Sequence, residues 1–338
     1  MLLTQKQLFN KKHLFWKRNP YKFLLAYKNG KCVGRIAAFV NLDHNSFHKL
    51  SQACFGFLEA ENDAEIFEEL LKTAENFAKQ NNCNEIIGPL NPDLHNELGV
   101  LTDGFETPPY FMLTHNYKYY DGQIKRCGYK KLKDFYSYKL DASQYMPTEK
   151  MKRVLSFLRN RHAIKIRNAD MKSFNKELDI LYTIYNDAFI GHWGFTPIQK
   201  DEFTLLAKDM KSIIDPRLVL IAEMNAEPIA FLLCLPNFNE VFIKIKNGKL
   251  FPAGIFRFLF ARKKIRSARV ITVAVKKKYQ YLGVGALLYA EIMKRGLNLN
   301  YPECELSWIV EDNIIMNKVA KDLMAVRYKT YRLYSKEF

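Results

Sequence analysis

The sequence predicts an α/β chain made of two similar halves, and three observations predict it. Two hairpin signals, each a pair of apolar runs around a short polar turn, occupy residues 21–40 and 218–235. Each is followed by a further strand and an amphipathic or apolar helix, and the order hairpin, strand, helix, strand and closing strands occurs twice. Between the strand-like run 270–275 and the helix-like run 287–295 stands a glycine-bearing turn, Gln280-Tyr281-Leu282-Gly283-Val284-Gly285-Ala286.

In the first half, residues 23–27 and 32–40 are the hairpin arms around Lys28-Asn29-Gly30-Lys31, and residues 53–60 read as the next strand. Asn62 or Asp63 offers a cap for a helix whose apolar positions Ile66, Phe67, Leu70, Leu71, Ala74, Phe77 and Ala78 recur at helical spacing. Residues 85–90 form a short strand that runs into a loop rich in proline and glycine, and 127–132 with 135–140 close the sheet. In the second half, residues 181–189 belong to a helix. Residues 218–223 and 228–235 form the hairpin around Asn225-Ala226, and 305–310 and 328–334 are further strands. The boundary falls at residues 141–148, where Pro147 and polar residues interrupt the pattern, giving halves of 1–145 and 146–338.

The 338 residues suffice for two ordinary domains with separate cores, and 48% hydrophobic with 26% charged residues describes a soluble globular protein. No run approaches the roughly 20 apolar residues of a spanning helix, and the opening residues turn polar too soon for a secretory signal. The six cysteines, Cys32, Cys54, Cys83, Cys127, Cys234 and Cys304, have no paired spacing, which speaks against a disulfide framework or zinc site and for a reducing cytoplasm. A net charge of +17 attracts polyanions: coenzyme A phosphates, nucleic acid or anionic lipid. General basicity for solubility is the bland alternative.

A strand that ends in a glycine turn and opens a helix leaves unpaired N–H groups at the positive end of a helix dipole, where a pyrophosphate binds. The run Gln280-x-x-Gly283-x-Gly285-Ala286, followed by a strand that leaves through Glu311-Asp312-Asn313, resembles the GNAT superfamily of acyl-CoA-dependent N-acyltransferases. The whole chain is similar to a bacterial family with two GNAT-like halves in tandem; residues 96–105, His192-Trp193-Gly194-Phe195-Thr196-Pro197 and 247–252 carry that likeness. The resemblance implies tandem GNAT-like domains of α/β (α+β) class, each a mixed, mostly antiparallel sheet flanked by helices. It also implies an additional strand and helix ahead of the first hairpin, where only about twenty residues precede Tyr21. Residues 54–59, taken as the equivalent turn of the first half, have no Gly-x-Gly loop, so only the second half is expected to bind cofactor.

The chemistry implied is direct attack of an amine on a thioester, which needs a pyrophosphate cradle, a main-chain donor for the oxyanion and a group that takes the amine proton. The resemblance puts the cradle at Gln280, Gly283, Val284, Gly285 and Ala286, the oxyanion donor at Val273 to Val275, and Asn313 beside the pantetheine. Glu311 is the candidate base, or else a strand-end carboxylate in solvent. The superfamily's tyrosine acid falls on Ala320, and Tyr279, Tyr281 and Tyr289 do not match its position. His192 and Trp193 follow the helix that borders the acceptor pocket in GNAT folds, or form a packed aromatic corner. Asn96 and Glu97, with Asp103, would line the acceptor side if the halves face each other. His44 and His48 have ligand spacing but no third partner, so no metal is expected.

Residues 250–260 are strongly apolar and Arg262-Lys263-Lys264-Ile265-Arg266 follows, a pattern that suits a helix on an anionic bilayer or a buried helix with a basic end. The expected function is therefore acyl-CoA-dependent acylation of an amine, with a lipid or membrane-associated acceptor as the case this segment favours. Since some bacterial ceramide-forming enzymes are GNAT members, a sphingoid base is one such acceptor. The expected place is the cytoplasm, with peripheral contact at the inner membrane face. Two alternatives stand: a Fem-like transferase using aminoacyl-tRNA, which the charge suits, and a non-catalytic acyl-CoA or lipid binder, which Ala320 suits.

Overall fold

The computed structural model describes residues 13–144, 149–161, 163–245 and 263–338. In chain order the elements are α1 (Leu14–Arg18), β1 (Tyr21–Lys28), β2 (Lys31–Phe39), α2 (Leu42–His48), β3 (Gln52–Ala60), α3 (Ala64–Gln80), β4 (Glu85–Gly88), β5 (Leu90–Asn91), β6 (Glu97–Leu98), β7 (Val100–Asp103), α4 (Tyr119–Arg126) and β8 (Lys130–Asp141). They continue with α5 (Glu149–Arg161), β9 (Lys165–Asn168), α6 (Phe174–Phe189), α7 (Lys200–Met210), β10 (Val219–Met224), β11 (Glu227–Pro236), α8 (Asn239–Phe242), β12 (Ser267–Val275), α9 (Val284–Asn298), β13 (Glu303–Val310), α10 (Ile314–Asp322) and β14 (Val326–Glu337). The apolar stretch 250–260 lies outside the described residues. The chain divides into two compact units: Met1–Tyr136 with Val310–Asp312 and Tyr328–Phe338, and Ser137–Ile309 with Asn313–Arg327.

The first unit is a mixed sheet in the order β1-β2-β3-β4-β14-β8, with β7 also pairing β14. Its hairpin closes through Asn29 and Gly30, both at positive φ, the turn whose twist matches that of the strands. The β3–β4 pair is parallel and the others with printed register are antiparallel. Asp63 caps α3 by accepting the N–H of Glu65 at 2.9 Å. The predicted stripe of α3, Ile66, Phe67, Leu70, Leu71, Ala74, Phe77 and Ala78, is buried against Ile36, Ala38, Ala53, Phe55 and Ile86. Each large apolar side chain removed from water here contributes roughly 2 kcal/mol.

The second unit repeats the plan in the order β9-β10-β11-β12-β13, followed by the end of β8. There Lys139 pairs with Glu303 at 2.7 Å. The β10–β11 hairpin again turns through two positive φ values, at Asn225 and Ala226. On one face α6 places Ile184 and Ala188 against Val219, Ile221, Phe231 and Ala274. On the other, Ile292 and Met293 of α9 share a small cavity with Cys234, Ala268 and Cys304. The sheet in each unit is therefore mixed, mostly antiparallel, and flanked by helices, as the sequence predicts.

Candidate functional site

In the second unit β12 and β13 run parallel, but their register extends only from Ser267↔Glu303 to Val270↔Leu306. Both strands continue beyond it. Residues 267–270 are buried, whereas Ile271, Thr272, Val273 and Val275 become half-exposed as soon as β13 departs. The β11–β12 register shifts at the same place: Leu233 faces Thr272 while Cys234 faces Val270, so Ile271 is the extra residue of a bulge. A central strand whose edge is unpaired among the described residues has main-chain donors and acceptors that a ligand can take up.

Where β12 ends, Lys277–Leu282 form a 3₁₀ turn and Gly283 opens α9 at φ 73°, with no side chain capping the helix. The N–H groups of Ala286 and Leu287 bond back to Gly283, which leaves those of Val284 and Gly285 ahead of the helical ladder. Gly283 favours glycine chiefly by its φ, and a Cβ there would also make Leu158 of α5 shift, since its Cδ1 lies 2.9 Å from where that Cβ would stand. Gly285 is less constrained, since its Cβ would meet only Val275 at 3.9 Å. Gln280 does not point outward from this turn; its amide donates to the carbonyls of Ala188 and Val275, both at 3.1 Å. The Asp187 carboxylate accepts the N–H of Lys277 at 2.7 Å. The end of α6 is thus bonded to the glycine turn.

The first unit treats the equivalent place differently. Residues 54–59 lie within β3, and the turn before α3 is residues 61–63. There the Asp63 carboxylate caps the helix and pairs with Lys28 at 2.8 Å, so the helix end already holds an anion. The β3–β4 register stops at Cys54↔Ile87, but the edge beyond is filled. Asn91 Oδ1 accepts the Phe57 N–H at 2.7 Å, and a Cβ on Gly56 would lie 1.6 Å from the Leu90 carbonyl oxygen. Glu97 pairs with Asn91 across β5–β6, and Asn96 donates to Asp93 at 2.8 Å. Both residues therefore support the segment that occupies this edge.

The remaining predicted residues have specific surroundings. Asn313 is the N-cap of α10: its Oδ1 accepts the Met316 N–H at 3.0 Å, which leaves its amide hydrogens as the groups it can offer a ligand. Glu311 belongs to the first unit, where Lys131 Nζ donates to one carboxylate oxygen at 2.6 Å and the Asp134 N–H to the other at 3.1 Å. His192 and Trp193 lie on a tight turn between Gly191 and Gly194, both at positive φ. The His192 ring stands edge-on to Phe189 at 5.4 Å. Partial desolvation, with the Lys277 charge as the second cause, holds its imidazole below the usual histidine range. Ala320 is fully buried. Tyr279 donates to Glu227 at 2.9 Å, Tyr289 is buried with its phenol pushed upward by desolvation, and Tyr281 is exposed. The rings of His44 and His48 lie 4.5 Å apart, tilted by 47°, and among the described residues no three metal-ligating side chains come together.

Sequence reading missed a buried polar set at the point where β12 and β13 part. Arg269 and Glu305 face each other in register, with Nε 3.4 Å from the carboxylate. Ser307 accepts from Arg269 at 2.9 Å and donates to Glu305 at 2.7 Å, while the guanidinium lies 4.9 Å from the centre of the Trp308 ring. The signal was present: one cation and one anion, each inside an apolar strand. Such a pair adds little net stability but fixes the alignment of the strands that carry it. Tyr138 was also missed; its hydroxyl donates to Asn317 of α10 at 2.7 Å.

No family model matches the sequence. Two curated relatives match nearly all of it. The bacterial ceramide synthase of Caulobacter vibrioides (strain NA1000 / CB15N) is 34% identical over 333 residues, covering 95% of this chain and 86% of that protein. Protein YghO of Escherichia coli (strain K12) is 31% identical over 331 residues, covering 96% and 83%. Among solved structures, the GCN5-related glucosamine N-acetyltransferase region of a fungal multi-domain GH3 beta-N-acetylglucosaminidase superposes with a TM-score of 0.56 at 14% identity. That match covers 94% of this chain and 33% of the other, so this chain spans about a third of its length. At that identity the likeness is one of fold, the GCN5-related N-acetyltransferase fold.

Proposed function

The chain belongs to the family of the Caulobacter vibrioides bacterial ceramide synthase and Escherichia coli YghO, and on that premise we propose that it is an acyl-CoA-dependent N-acyltransferase that acylates the amine of a lipid acceptor, a sphingoid base in the specific case. The observation that carries this reading is the edge of β12 from Ile271 to Val275, unpaired toward β13 and leading directly into the uncapped N-terminus of α9. A pantetheine arm is a chain of amides. Laid along that edge, it would take up main-chain groups as a strand does, with the diphosphate at the N–H groups of Val284 and Gly285. Val273 or Val275 would supply the oxyanion donor, and the Asn313 amide would steady the arm.

Removal of the amine proton is assigned to His192. An imidazole that is neutral near pH 7 can accept a proton, and its turn is held to the cofactor turn through Asp187, Lys277 and Gln280. Glu311 would first have to be released, because both of its carboxylate oxygens are already engaged in the first unit by Lys131 and the Asp134 N–H. Ala320 offers no hydroxyl to the departing thiolate, so the thiolate would leave unassisted or take its proton from water. The second unit would carry the reaction, the first none, and the site would lie in the cytoplasm.

The test is incubation of the purified full chain with palmitoyl-CoA and sphinganine, followed by mass spectrometry for the N-acyl amide and free CoA. The expected result is amide and thiol in equal amounts. Binding of palmitoyl-CoA without product across short, long and hydroxylated acyl donors and a broad amine panel would leave a binding protein in place of an enzyme.

A further inference from the structure

We propose that the end of the second unit at which β12 and β13 finish docks on an anionic lipid bilayer. The docking itself is inferred from exposed side chains; only its purpose, delivery of an amphiphile to the open strand edge, rests on the acyltransferase reading.

Parallel neighbouring strands finish at the same end of a sheet, so the turn after β12 and the start of α10 after β13 share one end of this unit. Both expose large apolar side chains there: Tyr281 is 81% exposed, Ile314 79% and Ile315 76%. Two further elements bring apolar groups to the same turn. On α5, Leu158 packs on Gly283 while its neighbour Phe157 is 54% exposed. At the end of α6, whose Ala188 carbonyl is bonded to Gln280, Ile190 is also exposed. Single exposed apolar residues need no explanation, but five from four elements around one opening do.

Charge identifies the occupant. Lys276, Lys277 and Lys278 lie in this turn, and Lys152 and Arg153 are exposed on α5. Glu227 is paired with Lys276 and Glu149 with Lys152, so these pairs cancel, as do Glu311 and Asp312 with Lys131 and Lys133; Asp187 accepts the Lys277 N–H, and Lys277, Lys278 and Arg153 remain as the cationic side chains of this end. Apolar side chains ringed by cations match an interface of acyl chains beneath anionic headgroups, where a tyrosine also sits well. The turn that carries Tyr281 directly follows the edge Ile271–Val275, so an amphiphile taken up at this end would have a short path to that edge.

The experiment is flotation of the full chain with vesicles of phosphatidylcholine alone and of phosphatidylcholine mixed with phosphatidylglycerol. Three proteins are compared: wild type, the double variant Ile314→Glu/Ile315→Glu, and the control Val326→Glu, another exposed apolar position beyond the far end of α10. Wild type and control should float with the anionic vesicles, and the double variant at least about tenfold less. Calorimetry with CoA should give the double variant an affinity within about threefold of wild type, which separates lost docking from lost folding. Equal flotation of the double variant, or no flotation of wild type with either vesicle, overturns the proposal. So does a wild-type dimer that the double variant converts to monomer, since a second copy would then cover this face. Flotation without any CoA binding would instead sink the acyltransferase reading and leave the docking surface standing.

Discussion

Asn91 Oδ1 accepts the main-chain N–H of Phe57 at 2.7 Å. This bond joins the first unit's central strand to its own downstream loop at the place where the second unit's central strand has an open edge. One repeat thus fills with its own chain the strand edge that the other, among the described residues, leaves open.

That filling leaves no room for a side chain. Gly56→Ala would drive a methyl into the Leu90 carbonyl, and Gly88→Ala would meet the Phe55 carbonyl at 2.3 Å. Each should destabilise the chain by about 3 kcal/mol or more, measured as a lower urea midpoint. Gly122→Ala, inside α4 with open space around it, should instead stabilise the chain by up to about 1 kcal/mol.

Gly283→Glu should abolish cofactor binding. It places a carboxylate at the uncapped end of α9, as Asp63 does at the end of α3, and forces a left-handed backbone on a residue with a side chain, beside Leu158. The dissociation constant for CoA by calorimetry should rise by at least about a hundredfold. The reverse experiment on the first unit, Asp63→Gly, should create no CoA site, because Asn91 still fills the strand edge.

If His192 accepts the amine proton, kcat/KM should fall as pH drops through its depressed pKa, below the ordinary histidine value of 6.5. The groups that set this value are the surrounding desolvation and Lys277, whose own N–H is held by Asp187. His192→Gln should lower kcat by about a hundredfold and flatten the acid limb. Glu311→Gln should leave the limb in place. A pH profile unchanged in His192→Gln removes this assignment.

Stability should also depend on pH through His44. Burial, with the His48 charge second and Asp93 opposing both, lowers its pKa to about 4. The unfolded chain therefore binds this proton more readily than the folded one. The contribution is full above pH 6.5 and is lost as pH falls toward 4, by roughly 2 kcal/mol after allowance for partial exposure. His44→Asn should shallow that slope in thermal melts across the same window.

Much of this architecture was legible in the residues themselves. Asn29-Gly30 announced its turn, the stripe from Ile66 to Ala78 announced its buried helix, and Gly283 marked a helix start that needed a left-handed residue. What could not be read was long-range. Nothing local to Val326–Glu337 shows that this strand mostly joins the first unit, because strand partners are chosen by packing and not by sequence neighbours. Glu311 looked like a strand-end acid because Lys131 and Asp134, which hold it, lie some 180 residues away. The same holds for Asn91, an ordinary loop residue until its oxygen is seen to meet Phe57.

Gln280 carries a consequence for the acyltransferase reading. Its single amide bridges the last turn of α6 and the last residue of β12, beside the bond from Lys277 to Asp187. On that reading a ligand that moved one element would also pull on the other, and by reciprocity whatever advantage a bound thioester gave the incoming amine, the amine would return in equal measure. Gln280→Ala should loosen this tie, so that each partner's affinity changes less when the other is present.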